Sequence, residues 1–418
     1  RTESTSSRTN SLQHPDALFV SFCRMNKHKS LAAIVGCLGG GLHALPDSCS
    51  NHISKSVAGP FVPQHVDIIK TGWRAALDVL LGDGAVVLEG LADSSSDAQQ
   101  SFRELSAALP AHLFMASNES SDDKGLELLS PNAPVNGVHE ELYEAKKRGL
   151  YLPGSGLEPH TDGYVYGDDM PDFVSLVCEQ PSSFGGANVL LDGRALLNAL
   201  EGGDSQDREL AAWLATTPVD LSEPAETGII QGRLATGPIV QWHSTPTGDL
   251  RLKWRRQINT AQTQQLASWS PLSVSSSEDV AAMRCANLTN LSYLSLWRPL
   301  PSADPAAWTE IESKLHAFDA IIQRASAAAY AEHSFTLSRG EALVVDNYRV
   351  LHGRAPYRPP TQQQCEHGSD TLDERRFWRV WSWTSAGTGL PPDGARTSNP
   401  LNDDVFEATP GSHLQTEL

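Results

Sequence analysis

Leu157-Glu158-Pro159-His160-Thr161-Asp162-Gly163, continued by Pro171-Asp172-Phe173-Val174-Ser175-Leu176-Val177-Cys178 and Phe184-Gly185-Gly186-Ala187-Asn188-Val189-Leu190-Leu191-Asp192-Gly193, is the stretch on which the fold turns. Phe173–Cys178 and Val189–Leu191 are short apolar runs of strand-forming residues with a Pro/Ser/Gly turn between them. A His-x-Asp pair ahead of such a hairpin sets an imidazole and a carboxylate at the mouth of a barrel. About 190 residues later Gly340–Asn347 reads as a turn and a strand, and it delivers His352 inside Asp346-Asn347-Tyr348-Arg349-Val350-Leu351-His352-Gly353-Arg354.

Two imidazoles and one carboxylate on one metal make the facial triad of non-heme Fe(II) oxygenases, which leaves three coordination positions open. A bidentate oxo-acid and then dioxygen can take those positions. A short ligand pair followed by a distant lone histidine suits a jelly roll, where sequence-distant strands lie side by side. The expected fold is therefore mainly β with flanking helices around a double-stranded β-helix (jelly-roll) core.

The bare pair carries little weight, because 14 His and 50 acidic residues produce chance matches. His65-Val66-Asp67 and His139-Glu140-Glu141 are two such matches. The first lacks a strand frame and reads as a solvated surface or a capped turn. The second lies in a polar, helix-like stretch, Val138 to Arg148.

Downstream of His352, after a polar loop, comes Arg375-Arg376-Phe377-Trp378-Arg379-Val380-Trp381-Ser382-Trp383. Aromatics at alternate positions are what a half-buried strand carries. Arg379 at its start is placed to aim a guanidinium into the barrel, and a planar, permanently charged fork pairs bidentately with a carboxylate. Arg375 and Arg376 stand beside it, and a solvated surface role stays open for one of them.

In these stretches, with Pro356-Tyr357 added, the chain resembles the TauD/TfdA-type Fe(II)/2-oxoglutarate-dependent dioxygenases over roughly residues 70 to 385. Within them it is most similar to the clavaminate-synthase-like group, which oxidises free amino acids and related metabolites. The resemblance implies that His160, Asp162 and His352 hold Fe(II) and that Arg379 clamps the distal carboxylate of 2-oxoglutarate. Arg375 would sit near the cofactor's other carboxylate or the substrate, with Arg376 as its adjacent rival. Asn188 stands where related enzymes often have a Thr near the cofactor. Many amino-acid-oxidising relatives carry Glu at the place of Asp162, while related halogenases lack the carboxylate so that halide can bind.

The implied reaction is hydroxylation of an unactivated C–H bond of a small molecule, with O2 as co-substrate and succinate and CO2 released. Desaturation and cyclisation are variants of it. The implied substrate is a free amino acid or derivative, with another small metabolite such as a betaine or a sulfonate as the alternative. A jelly-roll metal- or ligand-binding protein and a secreted acidic glycoprotein are the non-enzyme readings.

Composition agrees. The net charge of −18 argues against a nucleic-acid partner. Six scattered Cys with no C-x-x-C pair favour free thiols in a reducing compartment. Triplets at Asn118, Asn287 and Asn290 fit the glycosylation pattern, which arises often by chance. Residues 1–60 read as a disordered leader or a cleaved targeting segment, so the expected location is cytoplasmic or an organellar lumen. No stretch makes a convincing membrane span.

Residues 61–385 read as the dioxygenase domain, with an insertion at about 194–336, and 386–418 as a flexible tail. Helices are predicted at Gly72–Leu81, near Ala98–Leu109 and at Pro305–Tyr330, the last with Trp308, Ile311, Leu315, Phe318 and Ile322 as a packing stripe. Strands are predicted at Ala85–Leu88, Gly237–Trp242 and Leu250–Trp254. Lys253-Trp254-Arg255-Arg256 reads as a solvated strand end or as the entrance for an acidic or zwitterionic molecule. Tyr164, Tyr166, Asp168 and Asp169 read as a lid for a substrate amine or as a mobile loop.

Overall fold

The computed structural model describes residues 58–91, 99–115, 126–129, 135–137, 156–182, 185–220, 236–245, 248–258, 293–295, 297–300, 302–355, 375–385 and 387. The leader to residue 57, the His139 pair, the glycosylation triplets and the tail beyond 387 lie outside the described residues. In the first part of the chain, β1 (Pro60–Phe61) and β2 (Gln64–Asp67) lead into α1 (Ile68–Asp83), followed by β3 (Ala85–Glu89), α2 (Gln99–Met115) and β4 (Val135–Gly137). The strand β5 (Leu157–His160) runs through a 3-10 turn, Tyr164–Asp169, into β6 (Phe173–Gln180) and β7 (Asn188–Asp192). The insertion supplies α3 (Gly193–Glu201), α4 (Ser205–Thr216), β8 (Val219–Asp220), β9 (Thr236–Gly237), β10 (Val240–Thr245), β11 (Gly248–Leu252), β12 (Arg256–Ile258), β13 (Tyr293–Ser295) and α5 (Pro305–Glu332). β14 (Ala342–Asp346), β15 (Val350–Arg354) and β16 (Arg376–Ser382) complete the order.

Local chemistry accounts for the first turn of this chain. Asp67 caps α1, its Oδ1 accepting from the N–H groups of Ile69 and Lys70 at 3.1 and 3.2 Å. The His65-Val66-Asp67 match is thus a capped helix start, with His65 Nδ1 2.8 Å from Glu89 Oε1. Gly84, at φ 83°, ends the helix in the left-handed conformation and releases the chain into β3.

Two principal sheets form. One has the order β2-β3-β14-β6-β16-β4 and the other β1-β7-β15-β5. The β2–β3 pair is parallel; the other pairs in these sheets are antiparallel. Period-two alternation divides each strand between two faces. Val174 and Cys178 of β6 join Ala85, Val87, Leu343, Val345 and Phe377 in a cluster that also contains Leu190 and Val350 of the second sheet. The two sheets therefore face each other across this apolar layer.

The intervening residues point outward. Phe173, Val177, Val344, Trp378 and Val380 pack under α1 and α2. Val189, Leu191 and Leu351 on the outer face of the second sheet pack with residues of α3, α4, α5 and β11. Ile311, Leu315, Phe318 and Ile322 of α5 are buried as the stripe predicts, whereas Trp308 is exposed.

The architecture is mixed helix and sheet, with helix more extensive among the described residues than the expectation of a mainly β chain allows. Much of that helix belongs to the insertion, which covers one sheet face. Among the described residues no helix is long and apolar enough to cross a membrane.

Candidate metal centre

β5 and β15 are neighbours, and their register sets His160 directly opposite His352. Gly353 permits this approach: a Cβ there would lie 2.8 Å from the Leu157 carbonyl oxygen and 2.9 Å from the Pro159 nitrogen. The imidazole centroids are 4.5 Å apart. Asp162 completes the group, and one ligand atom from each of the three side chains lies within 4.8 Å of the others. All three residues are buried.

Each is aimed by specific contacts. His160 Nδ1 is 2.8 Å from the Glu158 carbonyl oxygen, which fixes the proton on Nδ1 and leaves the Nε2 lone pair facing Asp162 Oδ1 at 3.2 Å. The main chain of Asp162 is clasped by Asn347, whose Oδ1 accepts from the Asp162 N–H and whose Nδ2 donates to the Asp162 carbonyl, both at 2.8 Å. Asp162 Oδ2 accepts from Trp381 Nε1 at 2.9 Å and Arg379 NH1 at 3.2 Å. That leaves Oδ1 turned toward His160, while His352 Nε2 lies 3.8 Å from Oδ2.

Protonation follows from these surroundings. Burial pulls His352 down to about 3, with the neighbouring His160 adding to the effect. Burial likewise lowers His160, with the charge of Arg255 contributing. Burial alone would raise the Asp162 carboxyl, but Arg379 and the two imidazoles outweigh it and hold the group well below the usual carboxylate range. Two neutral imidazoles and one ionised carboxylate are the protonation states a divalent ion requires of its ligands.

The structure separates the three arginines. Arg376 pairs with Glu179 at 2.6 Å, beside Trp378 Nε1 on the same carboxylate at 2.7 Å, so it belongs to the helix-facing side of β16. Arg379 lies against Asp162. Arg375 is buried with its guanidinium 3.7 Å from the Phe377 ring centroid, and its charge acts on Cys178. Asn188 is paired with Arg354 across β7 and β15, and its buried Nδ2 finds no partner among the described residues.

One reading of a nearby segment is corrected. The Lys253–Arg256 cluster is not a solvated strand end: Lys253, Trp254 and Arg256 are buried and Arg255 is half-buried. The turn after His160-Thr161-Asp162 is tied to its surroundings. Asp168 is held by Lys253 at 3.1 Å, Asp169 accepts from Trp383 through its carbonyl at 2.9 Å, and Tyr164 packs edge-on against Trp297. The side chain of Tyr166 lies outside the described residues. Asn347 and Trp381 are contributors that their residue types did not announce; the only signal was position, beside a ligand motif or two residues along a strand from Arg379.

Residues 56–381 match the family described as taurine catabolism dioxygenase TauD, TfdA family. The chain belongs to that family. This TauD/TfdA-family protein is accordingly an Fe(II)/2-oxoglutarate-dependent dioxygenase, and the buried donor set above suits the metal. Solved structures similar to this TauD/TfdA-family chain include asparagine oxygenase in complex with Fe(II), 2S,3S-3-hydroxyasparagine and succinate, at 17% identity over 75% of this chain and 79% of that one, TM-score 0.39. PvcB of Pseudomonas aeruginosa is 14% identical over 80% and 94% of the two chains, TM-score 0.38. Such values carry nothing about the substrate. No curated protein sequence matches the chain.

Proposed function

We propose that this dioxygenase hydroxylates an unactivated C–H bond of a free amino acid or derivative, with Fe(II) held by His160, Asp162 and His352 between the two faces of a double-stranded β-helix. The observation that carries the reading is the convergence of two buried imidazoles and a buried carboxylate, with one ligand atom of each within 4.8 Å of the others. When bound, the metal and 2-oxoglutarate supply oxidative decarboxylation coupled to C–H oxidation, with succinate and CO2 released. The protein holds ligands in their required protonation states, positions the target and excludes water. Asp162 keeps a carboxylate where a halide would otherwise bind, which favours hydroxylation over halogenation. The domain is taken as 61–385, after a leader and before a tail.

The positions of the arginines favour an exchange of the roles implied by resemblance. A 2-oxoglutarate that chelates through its C1 carboxylate and keto oxygen carries its second carboxylate two methylenes away from the metal. Arg379, in contact with Asp162, suits the near end. Arg375 suits the far end: its neighbour Cys178 contacts Leu337, and Asn188 binds the main chain of Phe335 in the same segment. The orphaned Asn188 Nδ2 is a donor waiting for that carboxylate.

Anaerobic titration of the apo-protein with Fe(II) and 2-oxoglutarate tests the assignment. A weak visible charge-transfer band is expected, absent in His352→Ala. Arg375→Gln is expected to weaken 2-oxoglutarate at least about tenfold, since a charge-assisted bidentate pair is lost. A folded protein that binds iron without giving the band would overturn the chelation, and an unchanged cofactor affinity in Arg375→Gln would return the clamp to Arg379.

A further inference from the structure

The segment after β11 lies against the metal pair. Thr161, between His160 and Asp162, donates its N–H to the Trp254 carbonyl at 2.9 Å, and its Oγ1 accepts from the Trp254 N–H at 3.1 Å. Trp254 is fully buried, edge-on to Phe318 of α5 at 4.7 Å. Arg256 goes to the same side, with Nε 2.6 Å from Asp319 of α5 and NH1 3.0 Å from Glu158.

Arg255, between them, is half-buried, and the Thr161–Trp254 pairing sets its backbone beside the strand that carries His160. Its charge is among the causes that disfavour protonation of both His160 and His352. Yet this half-buried guanidinium has no hydrogen bond or ion pair among the described residues. A cation held partly out of water, beside a polar site and without a counter-ion, is costly unless a ligand supplies one. Arg375 and Arg379 answer the two carboxylates of the oxo-acid in the reading above, and Asp162 is already shared between Arg379, Trp381 and the imidazoles. Arg255 is left over.

We propose that Arg255 anchors a carboxylate of the substrate, so that the enzyme acts on small molecules presenting a free acid group beside the metal. The inference rests on the metal-site reading of His160, Asp162 and His352. It makes Arg255 a specificity-determining residue supplied by the insertion, on a segment that shares hydrogen bonds with the metal pair itself. Anchor and metal are thereby held at a fixed distance, which selects the carbon to be attacked.

The test uses full-length wild type, Arg255→Gln and Arg255→Lys, loaded anaerobically with Fe(II) and 2-oxoglutarate. Because Arg255 has no partner among the described residues, the melting temperature and the 2-oxoglutarate titration of the charge-transfer band are expected to match wild type within about twofold. The probes are the twenty proteinogenic amino acids and their C-terminal amides, read by the change each causes in that band. At least one free acid is expected to perturb the wild-type band, and its amide about tenfold more weakly. Arg255→Gln should lose about tenfold or more for the acid and nothing for the amide, with Arg255→Lys in between.

Equal affinity of wild type and Arg255→Gln for the acid would overturn the proposal. So would weakened 2-oxoglutarate binding in Arg255→Gln, which would assign Arg255 to the cofactor, or a wild type that responds to none of the acids. Absence of the band in wild type would be a different failure, removing the metal-site reading and this one with it.

Discussion

Asp162 shows how much of a candidate ligand's behaviour is set by the residues around it. Its carboxylate would float in its pocket without Trp381 and Arg379 on Oδ2, and its backbone would be free to rotate without the Asn347 clasp. Groups that orient a ligand in this way typically influence metal affinity by about 10–100-fold. Trp381→Phe keeps the ring and removes only the N–H, so Fe(II) affinity is expected to fall about tenfold, Arg379 still holding the same oxygen. Competition against a chromophoric chelator measures it; wild-type affinity in a folded Trp381→Phe protein would mean the indole is packing alone. The three candidate ligands that the fold brings together were legible in the sequence because imidazole and carboxylate carry their chemistry in their identity. Asn347 and Trp381 were not, since an amide or an indole says nothing about its partner until the chain has brought one within reach.

Strands carry the next layer, and here the apolar runs were as informative as the ligands. β6, β7 and β14 follow from short apolar runs of strand formers, β16 from aromatics at alternate positions, and the caps at Asp67 and Gly84 from local hydrogen bonding and a positive φ. What no local pattern contains is the β5–β15 register, a contact between segments far apart in the chain that depends on the whole sheet order. It has a sequence trace all the same, in Gly353. A methyl group there would press on main-chain atoms of Leu157 and Pro159, which cannot rotate aside as a side chain can. Gly353→Ala is therefore expected to push β5 away from β15, costing about 1–3 kcal/mol of stability, as overpacking does, and weakening Fe(II) as the imidazoles separate. Gly82→Ala, at a helical position with open space around it, is the internal control and should be neutral or slightly stabilising. Urea melts of the two apo-variants decide between them: equal midpoints would show that the close approach of the strands is not a constraint.

At the scale of the whole molecule, the corner where β14 turns into β15 joins both sheets through buried acid. Asp346 accepts from the Tyr348 N–H at 2.9 Å, and Asp172 accepts from the Tyr348 hydroxyl at 2.5 Å and from Thr384 N–H and Oγ1 at 2.7 and 2.6 Å. Asp172 thus ties β6 to the end of β16, while Asp346 closes the turn that precedes His352. Burial pushes Asp346 up to about 7, with Asp172 adding repulsion, from an ordinary value of 3.8. Between those two values the folded chain keeps a proton that the unfolded chain has released, so folding stability declines as pH rises through that window and the loss levels off above about 7. Asp346→Asn replaces the protonated acid by an isosteric amide and removes this dependence. Other groups titrate in the same range, the imidazoles with the opposite sign, but they are common to both proteins and cancel in the difference. The stability of Asp346→Asn relative to wild type is expected to climb with pH from about 4 to about 7, at a slope approaching about 1.4 kcal/mol per pH unit, and then to hold steady. Denaturant melts of the two apo-proteins at half-unit pH steps measure that difference. A flat difference would mean that Asp346 is ionised in the folded state throughout, and that its bonds to the turn outweigh the burial of its charge.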